Sequence, residues 1–177
     1  MDKYKVKWTF LEREIFSLLC KRAGTTLTQR EIAKIIRTSP TAAGTAIRGL
    51  GSYVVIVPAK TMHLVSFNDQ NPSARIFKQL ENLRQLYTSG LVDYLITTYA
   101  GSTILLFGSY NRGEDILESD IDIAIIGRTP KQLSLEAYEQ KLERKINIQY
   151  YHSWKEIQSP LKNNILNGTI LHGSVNL

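Results

Sequence analysis

The 177-residue chain predicts an α+β fold built in two parts, and three observations carry that expectation. Apolar residues recur at helical spacing through residues 8–50 and give way to two β-prone runs before residue 70. The whole net charge of +6 falls within those first 70 residues. Beyond residue 100, short apolar strand-like runs are separated by polar segments, as in a small mixed β-sheet with flanking helices.

Each element follows from local signals. Trp8, Leu11, Ile15, Leu18 and Leu19 mark an amphipathic helix ending near Gly24. Thr28 precedes Glu31 and the apolar Ile32, Ile35 and Ile36, which predicts a short second helix with a hydroxyl cap and an early acid. Ser39-Pro40 opens a third helix, with Ser39 as cap and Pro40 at its first position, and Gly51 stops it. Ala43, Ile47 and Leu50 supply its buried face, leaving the small residues Thr41, Ala42, Gly44 and Thr45 together with Arg48 on the other. The runs 53–57 and 62–67, joined by Pro58-Ala59-Lys60-Thr61, predict a hairpin.

Three helices and a hairpin in this order predict a winged helix-turn-helix over residues 1–70. The third helix would present Thr41, Thr45 and Arg48 to the major groove of double-stranded DNA, with Lys60 at the wing tip meeting phosphate. The first 70 residues hold eleven Lys and Arg against five acids, whereas residues 71–177 are balanced. Such asymmetry fits a basic unit facing a polyanion. A homodimer is expected from the two-fold symmetry of typical operators.

Asn71-Pro72 then opens a helical linker over 71–100, with Ile76, Leu80, Leu83, Leu86 and Tyr87 followed by Leu91, Tyr94, Leu95 and Ile96 at helical spacing. The third segment, 101–177, carries the chemistry. Ile104–Phe107 reads as a buried strand ended by Gly108-Ser109, and ten residues later Asp120-Ile121-Asp122 opens the apolar run 120–126. In a strand, residues two apart share a face, so Asp120 and Asp122 would project together while Ile121 and Ile123 enter the core. Paired carboxylates repel unless a cation lies between them, and Mg²⁺ takes oxygen ligands from one or two carboxylates plus substrate phosphates. Gly108 permits close backbone approach to a phosphate, and Ser109 offers a hydroxyl and an N–H. These features predict a site for a metal-bound nucleoside triphosphate.

Leu106-Phe107-Gly108-Ser109-Tyr110, Arg112-Gly113 and Ser119-Asp120-Ile121-Asp122-Ile123-Ala124 resemble the signature of the polymerase-β-type nucleotidyltransferase superfamily, in its minimal prokaryotic form. With the leading module, the chain is similar to the archaeal-style fusion of a winged helix with a nucleotidyltransferase. The resemblance, over residues 103–172, implies transfer of a nucleoside monophosphate from an NTP to an acceptor. Gly108 and Ser109 would hold the triphosphate and Arg112, in the intervening loop, would reach phosphate. Asp120 and Asp122 would act as catalytic ligands of Mg²⁺ or Mn²⁺. The chain departs from the active pattern in one place. The third carboxylate belongs on a later strand, and in Lys145–Tyr151 the matching position is Asn147, which cannot serve as general base. A transcriptional regulator with a degenerate or nucleotide-sensing domain is therefore an alternative. Another is an antitoxin-like partner of a separate HEPN-type protein, a common pairing for minimal nucleotidyltransferases.

Other features carry less. Glu114, Asp115 and Glu118 are expected to be solvated loop acids, and residues 136–145 a solvated helix. Residues 157–171 read as a helix ending near Gly168 with a short apolar tail. His63, His152 and His172 lack ligand spacing, and Trp154 reads as the edge of a core. Cys20, the single cysteine, excludes an internal disulfide and a cysteine zinc site. Apolar runs fall short of the roughly 18 residues of a membrane span, and no leader pattern opens the chain, so a soluble cytoplasmic protein is expected.

Overall fold

The structure is a computed structural model that describes residues 6–59 and 62–176. It divides into two compact units, Met1–Glu81 and Asn82–Leu177.

In the first unit, helix α1 (Phe10–Lys21) is followed by a two-residue strand β1 (Leu27–Thr28), helices α2 (Gln29–Ile36) and α3 (Pro40–Gly49), and strands β2 (Val54–Ala59) and β3 (Met62–Phe67). The strands form an antiparallel sheet in the order β1-β3-β2. Caps set the helix starts. Thr9 and Glu12 form a capping box on α1, Thr28 and Glu31 form another on α2, and the Ser39 hydroxyl accepts from Ala42 N at 3.1 Å with Pro40 at the head of α3. Such a cap is worth about 1 kcal/mol. Trp8 lies before the helix rather than in it, with its ring 4.6 Å from that of Phe16 and 5.0 Å from that of Tyr53. Ile15, Leu19, Ile32, Ala43, Ile47, Leu50 and Val65 fill the core. Gly44 belongs to the buried side of α3, not its open face, because a Cβ there would lie 2.5 Å from the Gln29 amide nitrogen. Asn71 caps helix α4 (Pro72–Ser89) by accepting from Ser73 N at 2.9 Å, and the division between the units falls within this helix.

The second unit continues with α5 (Leu91–Thr98), whose Leu91, Val92 and Leu95 are buried in its core. Strand β4 (Thr103–Phe107), helix α6 (Gly108–Arg112), strand β5 (Ile121–Ile126), helix α7 (Glu136–Leu142), strand β6 (Ile146–Tyr151), helix α8 (Ser159–Leu166) and strand β7 (Thr169–His172) complete it. The sheet runs β6-β5-β4-β7, with β5 and β6 parallel and the other pairs antiparallel. A parallel pair needs a long crossover, which α7 supplies. Ile104, Leu106, Ile121, Ile123, Ile125 and Ile146 face one core with α5, while Leu105, Phe107, Ala124 and Ile126 face a second with Trp154 and Ile165. Both faces of β5 are therefore covered, which is why it reads as a continuous apolar run after Asp122.

Two further expectations are corrected. The apolar tail is a strand: β7 pairs with β4, Leu106 opposite Thr169 and Leu105 opposite Ile170. Residues 136–145 are not uniformly solvated, since α7 ends at Leu142 and Arg144 is buried beyond it. Among the described residues, no helix is long and apolar enough to cross a membrane.

Candidate active site

Strand β4 is buried from Ile104 to Phe107 and delivers Phe107 opposite Asp122 of β5. The next residue, Gly108, has φ +78°, a conformation that side chains disfavour, and a Cβ there would lie 2.5 Å from Asp122 Oδ2. Glycine is thus required twice: for the turn, and for the approach of its backbone to the carboxylate. Gly108 and Ser109 do not merely end a strand, since they open helix α6. Arg112 closes that helix instead of lying in the loop. Its Nε donates to Glu114 Oε2 at 2.7 Å and its Nη1 to Asn164 Oδ1 at 3.3 Å.

Alternation along β5 sends Ile121, Ile123 and Ile125 into one core and leaves Asp122, half-buried, at the rim of the other face. Asp120 is exposed and stands just outside the strand, whose first residue is Ile121. The parallel register sets Asn147 of β6 directly opposite Asp122, and its Nδ2 donates to Asp122 Oδ1 at 2.9 Å. The two Asp122 oxygens thus have different surroundings, one beside the Gly108 backbone and the other holding an amide.

Two carboxylates and a cradle that a Cβ would fill suit a hard cation that completes its sphere from phosphate and water. Among the described residues, no group of three or more His, Cys, Asp or Glu is placed to hold a metal ion unaided.

Sequence reasoning missed the polar support behind this rim. Asp115, expected in solvent, is 2 % exposed, whereas its neighbour Ile116 is 47 % exposed, the inverse of their hydropathies. Arg144 Nη2 donates to Asp115 Oδ2 at 3.2 Å, and Asn82 Nδ2 donates both to Asp115 Oδ1 at 2.7 Å and to the Tyr110 carbonyl at 2.9 Å. No local signal distinguishes Asp115 from Glu114 or Glu118. The Thr169 hydroxyl adds a tether from β7, donating to Asn111 Oδ1 of α6 at 2.7 Å.

In the first unit, Thr41, Thr45 and Arg48 share the exposed side of α3, and Arg48 Nη2 donates to the Thr45 hydroxyl at 3.3 Å. Lys60 lies outside the described residues.

Residues 91–175 match a protein-family model described as "Polymerase beta, Nucleotidyltransferase". The matched stretch runs from α5 through β7 and supports a nucleotidyltransferase domain there. No curated protein and no solved structure matches the chain.

Proposed function

We propose that the chain couples a nucleotidyltransferase domain to a winged helix-turn-helix that binds double-stranded DNA, and that it transfers a nucleoside monophosphate from an NTP to an acceptor. The observation that carries the catalytic half is the approach of the Gly108 backbone to Asp122, which brings the Gly-Ser turn and the Asp-x-Asp pair together. Asp120 and Asp122 would hold a divalent cation, and Gly108 and Ser109 would receive the triphosphate. Bound there, Mg²⁺ or Mn²⁺ would neutralise charge on the phosphates during displacement. Asp122 is held by its strand ladder and by the Asn147 amide. Asp120, exposed just before the strand, would meet the same cation from the solvent side.

The element order α-β-α-α-β-β, the exposed Thr41, Thr45 and Arg48, and the charge of the first 70 residues support the DNA-binding half. Lys60 joins this surface as a sequence-based assignment, and a homodimer would match a two-fold operator.

A second reading is favoured by one contact. Asn147 supplies an amide to Asp122 where a third carboxylate would otherwise act as base, which suits a regulator that binds nucleotide without transferring it. Pairing with a separate HEPN-type protein is compatible with either reading.

Calorimetric titration of Mg²⁺-ATP, and of the other three triphosphates, tests the site without knowledge of the acceptor. Heat that disappears with EDTA or with Asp122→Asn supports the metal-nucleotide site. No heat with any triphosphate sinks it.

A further inference from the structure

We infer that Asp115, Asn82 and Arg144 form a positioning strut that holds the two halves of the candidate site in register, a statement that rests on the nucleotide-binding reading above. Asp115 lies in the connection between Ser109 and Asp120, and its side chain turns inward. On one side, Asn82 bridges it to α6: the same amide nitrogen meets Asp115 Oδ1 and the Tyr110 carbonyl, while the Tyr110 hydroxyl donates back to the Asn82 carbonyl at 3.3 Å. Tyr110 immediately follows Gly108-Ser109, so this arm sets the triphosphate turn.

On the other side, Asp115 holds Arg144, and the side chains of that ion pair are 0 % and 1 % exposed. The residue after Arg144 is Lys145, whose carbonyl accepts from Ile121 N at 2.8 Å. Ile121 is the residue between Asp120 and Asp122. The second arm therefore reaches the backbone that carries both carboxylates. Glu139 secures the same corner, with Oε1 accepting from Ile146 N at 3.0 Å.

Burial of an ion pair costs desolvation that its attraction only partly returns, and well-packed apolar replacements are often as stable. The charges at 115 and 144 are therefore poorly explained as a source of stability. What apolar side chains could not supply is direction: two oxygens and a guanidinium fix the angle and spacing of three chain segments. The contacts of these three residues lead to the candidate ligands through Tyr110, the chain neighbour of Ser109, and Lys145, the partner of Ile121.

The test compares wild type with the paired substitution Asp115→Leu and Arg144→Met, and separately with Asn82→Ala, which leaves the ion pair in place. Both variants are expected to unfold cooperatively. Amide hydrogen exchange, followed without ligand, should accelerate about tenfold at residues 108–112 and 119–123 in the paired variant and at residues 108–112 in Asn82→Ala, while β7 and α8 keep their protection. The affinity for Mg²⁺-ATP should fall about tenfold in the same variants. Exchange that is unchanged, or that accelerates uniformly across the unit, in the variants that fold overturns the strut. Should the paired variant fail to fold, the Asn82→Ala exchange pattern decides. Absence of Mg²⁺-ATP binding in wild type would remove the nucleotide reading, and the exchange pattern would still uphold or overturn the strut by itself.

Discussion

Asn147 donates its side-chain amide to Asp122 across the parallel β5–β6 pair at 2.9 Å, and the two residues are direct register partners. An amide here neutralises no charge but satisfies one carboxylate oxygen. Replacing the amide by a carboxylate, Asn147→Asp, would set two anions side by side. Like charges directly opposed in a sheet cost up to about 1 kcal/mol. Without divalent metal, the variant should therefore melt a few degrees below wild type, roughly 2–4 °C for that energy. Added Mg²⁺ should raise the variant's Tm more than that of wild type, because a cation bridges two acids better than an acid and an amide. Thermal melts with and without Mg²⁺ read this directly, and equal metal responses would discard the prediction.

Gly108→Ala should damage the site more than any neighbouring substitution of similar size. The added methyl carries a penalty for φ +78° and meets Asp122 Oδ2 at 2.5 Å. Backbone strain of this kind costs of order 1–3 kcal/mol, and the carboxylate must also move. Loss of Mg²⁺-ATP heat in calorimetry, with secondary structure retained by circular dichroism, is the expected result. Ser109→Ala, which strains nothing, should weaken binding only modestly.

Local rules made much of both units legible. Ser39-Pro40 and Thr28 with Glu31 announce helix starts within four residues, and both caps form. Gly108-Ser109 and Asp120-Ile121-Asp122 were recognisable because apolar strands flank them, and β4–β5 pairing follows. What remained hidden depends on partners distant in the chain. Strand β7 has four residues, and its edge position exists only because β4 offers a free side some 60 residues earlier. Asp115 becomes buried because Asn82 and Arg144 converge on it from both sides in sequence, and neither spacing nor hydropathy encodes such a meeting. The αL conformation of Glu143, φ 55°, which turns the chain from α7 towards Arg144, is equally silent in sequence.

Glu139 predicts an acid-sensitive component of stability. Its carboxylate accepts first from the backbone N–H of Ile146 and then from Lys145, and these hold its pKa below the ordinary 4.5. A group whose folded pKa is depressed stabilises the fold above its unfolded value, and that contribution is lost as pH falls through the folded value. Denaturant melts of wild type and Glu139→Gln should differ by a constant amount above about pH 5.5 and converge as pH falls below the ordinary carboxylate range. A difference that stays constant down to acid denaturation would show that the charge of Glu139 contributes nothing.

DNA binding by the first unit makes a prediction that the second unit should not influence. If Thr41, Thr45 and Arg48 face the major groove, affinity for a duplex must fall steeply with salt, because cationic contacts release counterions from the phosphates. Arg48 is the charged member of this trio on the exposed side of α3. Its replacement by Ala should cost about 1–3 kcal/mol if it reads a base. If it meets a phosphate, the loss is similar across sequences and the salt slope drops by about one. Fluorescence anisotropy with labelled duplexes, at several salt concentrations between roughly 50 and 200 mM, separates the two cases. Asp122→Asn should leave every one of these curves unchanged, since its carboxylate belongs to the other unit. Duplex affinity that ignores salt and Arg48 alike would remove the DNA-binding half of the proposal, leaving the nucleotide site to stand on its own test.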